Sequence, residues 1–188
     1  MKRLFPSLPD APGLADVMRR FPRTMRPLLE YHDALLRAES DLPVADRELI
    51  AAYVSGLNAC AFCFEAHRIY ARAFGIAPAI VDALLHDLDT APVEARLKPL
   101  LAYVRKLTLT PSRMVEADAD AVYAAGWSEA ALFDAVQTCA LFSFMNRIVE
   151  GTGVAAYPET AEAVDADGLA RRRRRSYVDF GREIGVID

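Results

Sequence analysis

The sequence predicts an all-α protein that folds as a single domain. From Ala15 onward the apolar residues mostly recur every three or four positions, as on one face of a helix, and no stretch shows a convincing two-residue period. A chain of 188 residues is long enough for one sizeable core and short for two. The apolar fraction of 53% is typical of a folded globular protein.

Proline and glycine indicate where the first helices begin and end. Leucines within 28–36 predict an amphipathic helix that ends before Pro43, where a second helix starts. Gly56 and Asn58 predict a break in that second helix, because both residues weaken helical structure. A new helix then runs from about Cys60 to Phe74.

Gly75 is expected to stop that helix, and Gly126 and Ser128 form a stop-and-start pair further along the chain. Further helices are predicted over 78–87, 93–108, 113–125 and 128–150. The segment from Ala130 to Val149 is apolar almost all the way round. Such a helix is usually central in the core or buried by a partner subunit.

Three segments are expected on this basis. Residues 1–13 are rich in proline and predict an extended arm, 14–155 form the helical domain, and 156–188 form an arginine-rich tail.

Five consecutive arginines, Arg171 to Arg175, cannot all face a core, so a solvated helix face or tail is the favoured interpretation. The alternatives are an oligomer contact with acidic patches or an anion site. Nucleic-acid binding is not expected, because the basic charge is confined to this segment and the net charge is −4.

Neither a secretory signal nor a membrane span is expected. Pro6, Pro9 and Asp10 interrupt any apolar stretch after the basic start at 1–3. The longest uncharged run, Leu49 to Phe64, is shorter than the roughly 20 residues that a spanning helix needs. We therefore predict a cytoplasmic protein. Its three cysteines indicate redox or metal chemistry and not a secreted disulfide framework.

The most specific chemical feature is the group formed by Glu48, Cys60, Cys63 and His67. On one helix Cys60, Cys63 and His67 fall within roughly 60° of one another, so both sulfurs and the imidazole point towards the same volume. A helix that begins just before Cys60 places its unpaired N–H groups beside the thiols and favours thiolate. This argument makes Cys60 the more acidic thiol.

A cysteine pair with this spacing can close a short disulfide after one sulfur is oxidised. Glu48, if buried, needs a partner, and His67 is the obvious one, which gives a base oriented by an acid. Other interpretations remain open. In one of them the cysteines are buried apolar residues, His67 is a structural residue and Glu48 is a surface charge beside Arg47. In another the four residues form a non-catalytic zinc-binding or redox-sensing module, although a second cysteine pair for zinc is missing. In a third the cysteine pair is idle in an enzyme that acts on an unrelated small molecule.

The remaining candidates are expected to be structural. Cys139 lies in an apolar run and is predicted to pack in the core, and Trp127 is predicted to be a packing anchor. His32 and His86 have acidic neighbours and are predicted to lie on the surface. The sequence has no glycine-rich phosphate loop and no glycine-flanked serine, which disfavours nucleotide-dependent and α/β-hydrolase chemistry.

The arrangement of Glu48, Cys60-Ala61-Phe62-Cys63 and His67 resembles the core motif of the alkylhydroperoxidase AhpD-like proteins, within the carboxymuconolactone decarboxylase family. The segments RELIAAYVSGLNAC, AHRIYARAFGI, GWSEAALFDAV and MNRIVEGTGV are similar to the peroxidase-related branch of that family. The resemblance covers roughly Leu28 to Val154.

The resemblance implies an all-helical homo-oligomer, commonly a trimer or hexamer, that reduces hydroperoxides or disulfides without haem, flavin or another cofactor. It implies that Cys63 is oxidised to sulfenic acid and that Cys60 relays the proton and then forms the disulfide. His67 and Glu48 complete the relay, and an unidentified thiol or protein restores the dithiol. These roles differ from the acidity argument, which favours Cys60 as the reactive thiolate.

Two departures from the family's pattern matter. The best-characterised AhpD proteins carry a histidine inside the cysteine pair, where this chain has Ala61 and Phe62, which implies a different reductant or substrate. The decarboxylase branch lacks the cysteine pair, so decarboxylation of a lactone is not expected here.

Overall fold

A computed structural model describes residues 4–188, which form ten α-helices and two short 3-10 helices without any strand in that range. The predicted all-α class is therefore confirmed. The helices are α1 Leu14–Arg20, α2 Met25–Leu36, α3 Val44–Leu57, α4 Ala61–Ala73, α5 Pro78–His86, α6 Leu97–Leu109, α7 Glu116–Ala124, α8 Glu129–Thr152, α9 Ala166–Arg174 and α10 Tyr177–Glu183. The 3-10 helices are Pro22–Thr24 and Pro111–Arg113.

Helix α3 is the centre of the core, and it packs mainly on α4 and α8. Every residue from Arg47 to Ser55 is buried, so this helix is enclosed on all sides. Its sequence permits this because most of these residues are apolar, and the charged ones have partners. The segment predicted to be central, Ala130 to Val149, lies instead in α8, which has one buried face and one exposed face.

The break between α3 and α4 lies where the sequence predicts it. Helix α3 ends at Leu57, Ala59 adopts a left-handed backbone with φ of 55°, and Cys60 is the residue that caps α4. Gly56 remains inside α3, where a Cβ atom would lie 2.5 Å from the side chain of Leu85. A side chain at position 56 would therefore displace the flexible end of Leu85 on α5, and this glycine does not mark a helix end.

Helix α8 is the longest element, and its start is the predicted one, because the Ser128 hydroxyl accepts a hydrogen bond from the Ala131 N–H at 3.1 Å. Its inner face packs against α3 and α6. Phe133 and Phe144 lie on the opposite face and are 60% and 49% exposed. No helix within residues 4–188 is long and apolar enough to cross a membrane.

The two ends of the chain fold back onto the domain. The part of the 1–13 arm that the structure describes begins at residue 4, and the Pro12 carbonyl accepts a hydrogen bond from the Ala155 N–H at 2.8 Å. In the 156–188 segment, α10 packs on α2. The Asp33 carboxylate accepts hydrogen bonds from the N–H groups of Tyr177 and Val178 at 2.7 and 2.9 Å. Asp33 therefore holds the first turn of α10 against α2.

The prediction that His32 lies on the surface is wrong, because this residue is only 3% exposed. It lies on the inner face of α2, which α10 covers, and its Nδ1 atom lies 2.8 Å from the Leu28 carbonyl oxygen. A neutral ring can occupy this place because that carbonyl satisfies its N–H group. His86 is exposed, as predicted.

Trp127 and Cys139 are both buried, as predicted. The indole Nε1–H of Trp127 donates to the Arg96 carbonyl at 2.8 Å, and the Arg96 guanidinium lies 3.8 Å from the centre of the ring system. The Cys139 sulfur lies 3.2 Å from the Thr108 hydroxyl. These contacts fix α6 against the start and the middle of α8.

Burial lowers the pKa of His32 from 6.5 to about 4, so this residue is expected to make stability depend on pH. The unfolded chain binds a proton at this side chain near pH 6.5, whereas the folded protein does so only near pH 4. Stability therefore falls as the pH is lowered through this window, by roughly 3 kcal/mol in total. The variant His32→Gln should lose this part of the slope in urea unfolding measured between pH 7 and 4.

The exposed histidine gives the matched control, because His86→Gln should keep the wild-type slope. Comparing slopes avoids any confusion with the loss of stability that the His32 substitution itself causes. Equal slopes for His32→Gln and the wild type would contradict a neutral, buried His32.

Candidate active site

The two cysteines of the motif lie at the start of α4 and differ in their surroundings. Cys60 is fully buried at the cap position, and Cys63 lies one turn further on with 4% of its surface exposed. Both pack against Val149 of α8. Cys60 therefore lies behind Cys63, and the two sulfurs share one small apolar cluster.

The pKa values of the two thiols are shifted in opposite directions. A hydrogen bond from the Cys63 thiol, together with the Cys63 backbone N–H, lowers the pKa of Cys60 against the effect of burial. The same hydrogen bond to Cys60, followed by burial, raises the pKa of Cys63. Cys60 is therefore the more acidic thiol of the pair, and its sulfur accepts a hydrogen bond from the Cys63 thiol. This agrees with the acidity argument from the sequence.

A buried amide lies beside the cysteine pair. Asn146 of α8 is 2% exposed, and its Nδ2 donates to the Ser55 hydroxyl at 3.0 Å. Its Oδ1 accepts a hydrogen bond from the Asn58 side chain at 2.9 Å. A further hydrogen bond from Asn146 acts to lower the pKa of Cys63, and thus partly offsets the upward shift. The only sequence signal for this residue is that it interrupts the apolar run of α8.

The structure brings Glu48 and His67 together, although they lie on different helices. The Glu48 Oε2 atom lies 2.6 Å from His67 Nδ1, and Glu48 is fully buried. The pairing expected for a buried Glu48 is thus observed, and the surface interpretation of this residue is wrong. Burial by itself raises the pKa of Glu48, but His67 and Arg37 outweigh it and lower this pKa, so the carboxylate stays ionised.

The second oxygen of Glu48 is held by Arg37, which sequence reasoning missed. The Arg37 guanidinium donates to Glu48 Oε1 at 2.5 Å. It also lies over the rings of Tyr70, Phe74 and Tyr177, at 5.1 to 5.3 Å from their centroids. Arg37 directly follows α2, and no pattern in the sequence distinguishes it from the many surface arginines.

Arg47, the sequence neighbour of Glu48, has a different role. Its guanidinium donates to the carbonyl groups of Leu35 and Ala38, at 2.5 and 2.8 Å. It therefore satisfies unpaired carbonyls where α2 ends. The carboxylate of Glu48 remains free to bind Arg37 and His67.

The contact with Glu48 sets the orientation of the His67 ring. With Nδ1 directed at the carboxylate, Nε2 is the nitrogen available to exchange a proton elsewhere. The ring of Phe142 packs edge-on against the imidazole at a centroid distance of 4.2 Å. His67 is thereby fixed on two sides, one turn of α4 after Cys63.

Cys63 and His67 both line an apolar cavity of about 270 Å³. Neither Cys60 nor Glu48 is among the residues that line it. The walls come from α1, α2, α4, α8, α10 and the segment before α9, and they include Met18, Leu29, Phe62, Phe142, Met145, Tyr157, Tyr177 and Phe180. Cys63 is thus the sulfur that a small molecule can reach, whereas Cys60 is the more acidic one.

The zinc interpretation receives no support from the placement of the donors. Within the part of the chain that the structure describes, no three side chains of His, Cys, Asp or Glu are placed to hold a metal ion. The Glu48 carboxylate is bound to Arg37 and His67, and the two sulfurs interact with each other. The four motif residues therefore form two contacting pairs and not one ligand set.

Comparison with known proteins gives a family match over part of the chain and a fold. The model of the carboxymuconolactone decarboxylase family matches residues 22–106, which include all four motif residues. No curated protein matches the chain significantly.

Two solved structures are similar to this fold. One is an uncharacterized peroxidase-related protein from Silicibacter sp. TM1040, with a TM-score of 0.71 and 24% identity over 78% of each chain. The other, described as an alkylhydroperoxidase AhpD core, is an uncharacterized peroxidase-related protein from Ralstonia eutropha JMP134. It has a TM-score of 0.71 and 23% identity over 84% of this chain and 79% of its own. At this identity the likeness establishes the fold, which is the predicted AhpD-like one.

The segment 22–106, with its Glu48, Cys60, Cys63 and His67, therefore carries the sequence pattern of the carboxymuconolactone decarboxylase family, and the resemblance predicted from the motif is confirmed.

Proposed function

We propose that this protein reduces organic hydroperoxides with the Cys60–Cys63 pair, which alternates between dithiol and disulfide. The observation that carries the proposal is that one sulfur has access to the cavity and the other is the more acidic. Cys63 lines the apolar cavity, and Cys60 lies directly behind it as the acceptor of its proton. The peroxidase-related names of the two structural neighbours point to the same chemistry.

The first step oxidises Cys63. When Cys60, the more acidic thiol, has lost its proton, it can take the proton of the Cys63 thiol through the hydrogen bond that joins them, which leaves a thiolate at the cavity. The Cys63 sulfur then attacks the terminal oxygen of R–OOH. The O–O bond breaks, an alkoxide leaves and takes up a proton to give R–OH, and Cys63 becomes a sulfenic acid.

The second step closes the disulfide. The Cys60 sulfur attacks the sulfur of the sulfenic acid, an S–S bond forms, and the hydroxide that leaves takes up a proton to give water. The substrate thus gains two electrons, which the two thiols supply. An external dithiol, in a small molecule or a protein, must return these electrons to complete the cycle.

His67 and Glu48 supply the acid–base support for both leaving groups. His67 lines the same cavity as Cys63, and the Glu48 carboxylate holds its ring in one orientation. The Nε2 atom of His67 is the atom through which a proton can pass to the departing oxygen. Glu48 is a positioning residue in this scheme, because it lies behind the imidazole and does not line the cavity.

Assembly, reductant and location remain predictions. The exposed Phe133 and Phe144 on α8 are suited to a subunit contact, in keeping with the expected trimer or hexamer. The cytoplasmic location and the identity of the reducing thiol rest on the sequence and the resemblance.

Substitution of each cysteine by serine separates the proposed roles. Cys63→Ser should reduce cumene hydroperoxide turnover, measured with dithiothreitol as reductant, to the uncatalysed rate. Cys60→Ser should still form a sulfenic acid at Cys63 that a dimedone label detects by mass spectrometry, although its turnover should be slow. Cys139→Ser is the matched control and should keep full activity, because Cys139 lies in the core of α6 and α8. Full turnover in Cys63→Ser would overturn the assignment.

The variant Glu48→Gln should lower both stability and activity. It removes the charge that faces Arg37 and leaves a largely buried guanidinium without its counterion, at a cost of about 3 kcal/mol in urea unfolding. It also releases the His67 ring, so turnover should fall about tenfold or more. Glu30→Gln is the control, because that carboxylate is exposed at 52% on α2. A Glu48→Gln protein with wild-type stability and turnover would contradict the central place of this carboxylate.

A further inference from the structure

The arginine run of the tail forms one wall of a second, open cavity. Arg171 to Arg174 lie on α9, and this helix packs on α4 beside the first cavity. The open cavity, which we call the arginine groove, has a volume of about 730 Å³. Its charged lining consists of Arg171, Arg172, Arg174, Arg175, Arg182, Glu159, Asp179 and Glu183.

The groove carries more positive charge than its own carboxylates neutralise. Each of its three carboxylates is paired with a different arginine: Glu159 with Arg172, Asp179 with Arg182, and Glu183 with Arg175. Arg171 and Arg174 are exposed, and no carboxylate lies within 4.0 Å of either among residues 4–188. Two guanidinium groups therefore remain available for an external anion.

The groove adjoins the cavity that Cys63 lines. Tyr70, Tyr157 and Arg175 line both spaces, so these three side chains form their common boundary. A molecule that passes between these side chains would place an apolar part beside Cys63 and an anionic part among the arginines. The cavity alone, at about 270 Å³, is far larger than hydrogen peroxide needs.

The ring of Tyr177 belongs to the wall of the cavity, whereas its hydroxyl is buried and shielded from it. Phe62, which stands inside the cysteine pair, adds an apolar wall through its edge-on contact with Tyr157 at 5.1 Å.

We propose that the cavity and the arginine groove form one binding site for an amphipathic organic hydroperoxide with a carboxylate or phosphate group. The hydrocarbon part occupies the apolar cavity beside Cys63, and Arg171 and Arg174 bind the anionic group in the groove. The part of this inference that concerns the peroxide group rests on the proposed function. The binding of an amphipathic anion at this site does not depend on it.

Binding of unreactive probes tests the site without any turnover. Octanoate, octyl phosphate and octanol share one chain length and differ in the head group, and calorimetric titration gives the affinity of each. At least one of the two anions should bind tenfold or more tightly than octanol. The double variant R171A/R174A should abolish that preference. The better of the two anions identifies the head group as carboxylate or phosphate.

The matched control is R23A/R113A, which removes the same charge from two exposed arginines that line neither cavity. It should keep the wild-type preference for the anion. Equal binding of octanol and both anions by the wild type would overturn the inference. So would an anion preference that survives in R171A/R174A.

Turnover then separates failure of the site from failure of the proposed function. A fatty-acid hydroperoxide should have a KM at least tenfold below that of its methyl ester. R171A/R174A should remove this difference, whereas R23A/R113A should keep it. If no hydroperoxide is consumed although the anion preference persists, the site stands and the peroxidase proposal fails. If cumene hydroperoxide is consumed without any preference for the acid over its ester, the anion site fails and the peroxidase proposal stands.

Discussion

The carboxylate of Glu48 is fully buried, and each of its oxygens is held by a different side chain, Arg37 on one side and His67 on the other. A buried carboxylate without partners would be too costly to keep ionised, so these two contacts determine the arrangement around it. They link the end of α2 to α3 and α4. They also direct one ring nitrogen of His67 away from the cavity, leaving the other for proton exchange.

The arginine that completes this pair also joins the tail to the site. Arg37 lies against the rings of Tyr70 and Tyr177, one from α4 and the other from α10. Asp33, on α2, holds the first turn of α10 through two backbone N–H groups. The tail is therefore part of the cavity wall. The contacts between α2 and α10 hold Arg37 beside Glu48, and the same contacts close the cavity.

Much of the fold could be predicted from local patterns. The break before Cys60 and the start of α8 at Ser128 follow from residue preferences that act over a few positions. The proximity of Glu48 and His67 could also be inferred, because a buried carboxylate requires a partner and few candidates exist. The contact between Arg37 and Glu48 could not be inferred, because it depends on how α2 crosses α3. The burial of His32 likewise depends on α10, which arrives from the far end of the chain.

The opposing properties of the two thiols were only partly visible in the sequence. Helix position alone favours an acidic Cys60, and the structure agrees. Which sulfur reaches a cavity depends on the walls that α1, α8 and α10 contribute, and these lie far from the motif in the sequence. Acidity at Cys60 and access at Cys63 are compatible because one hydrogen bond connects them.

The central claim is that Cys60 and Cys63 act as one redox pair. The most direct test is to count free thiols on the fully reduced protein before and after one equivalent of cumene hydroperoxide, and to locate any new disulfide by mass spectrometry. The account predicts the rapid loss of two thiols, mapped to Cys60 and Cys63, with Cys139 unchanged. An unchanged thiol count would contradict it and would make the cysteine pair a structural feature of α4.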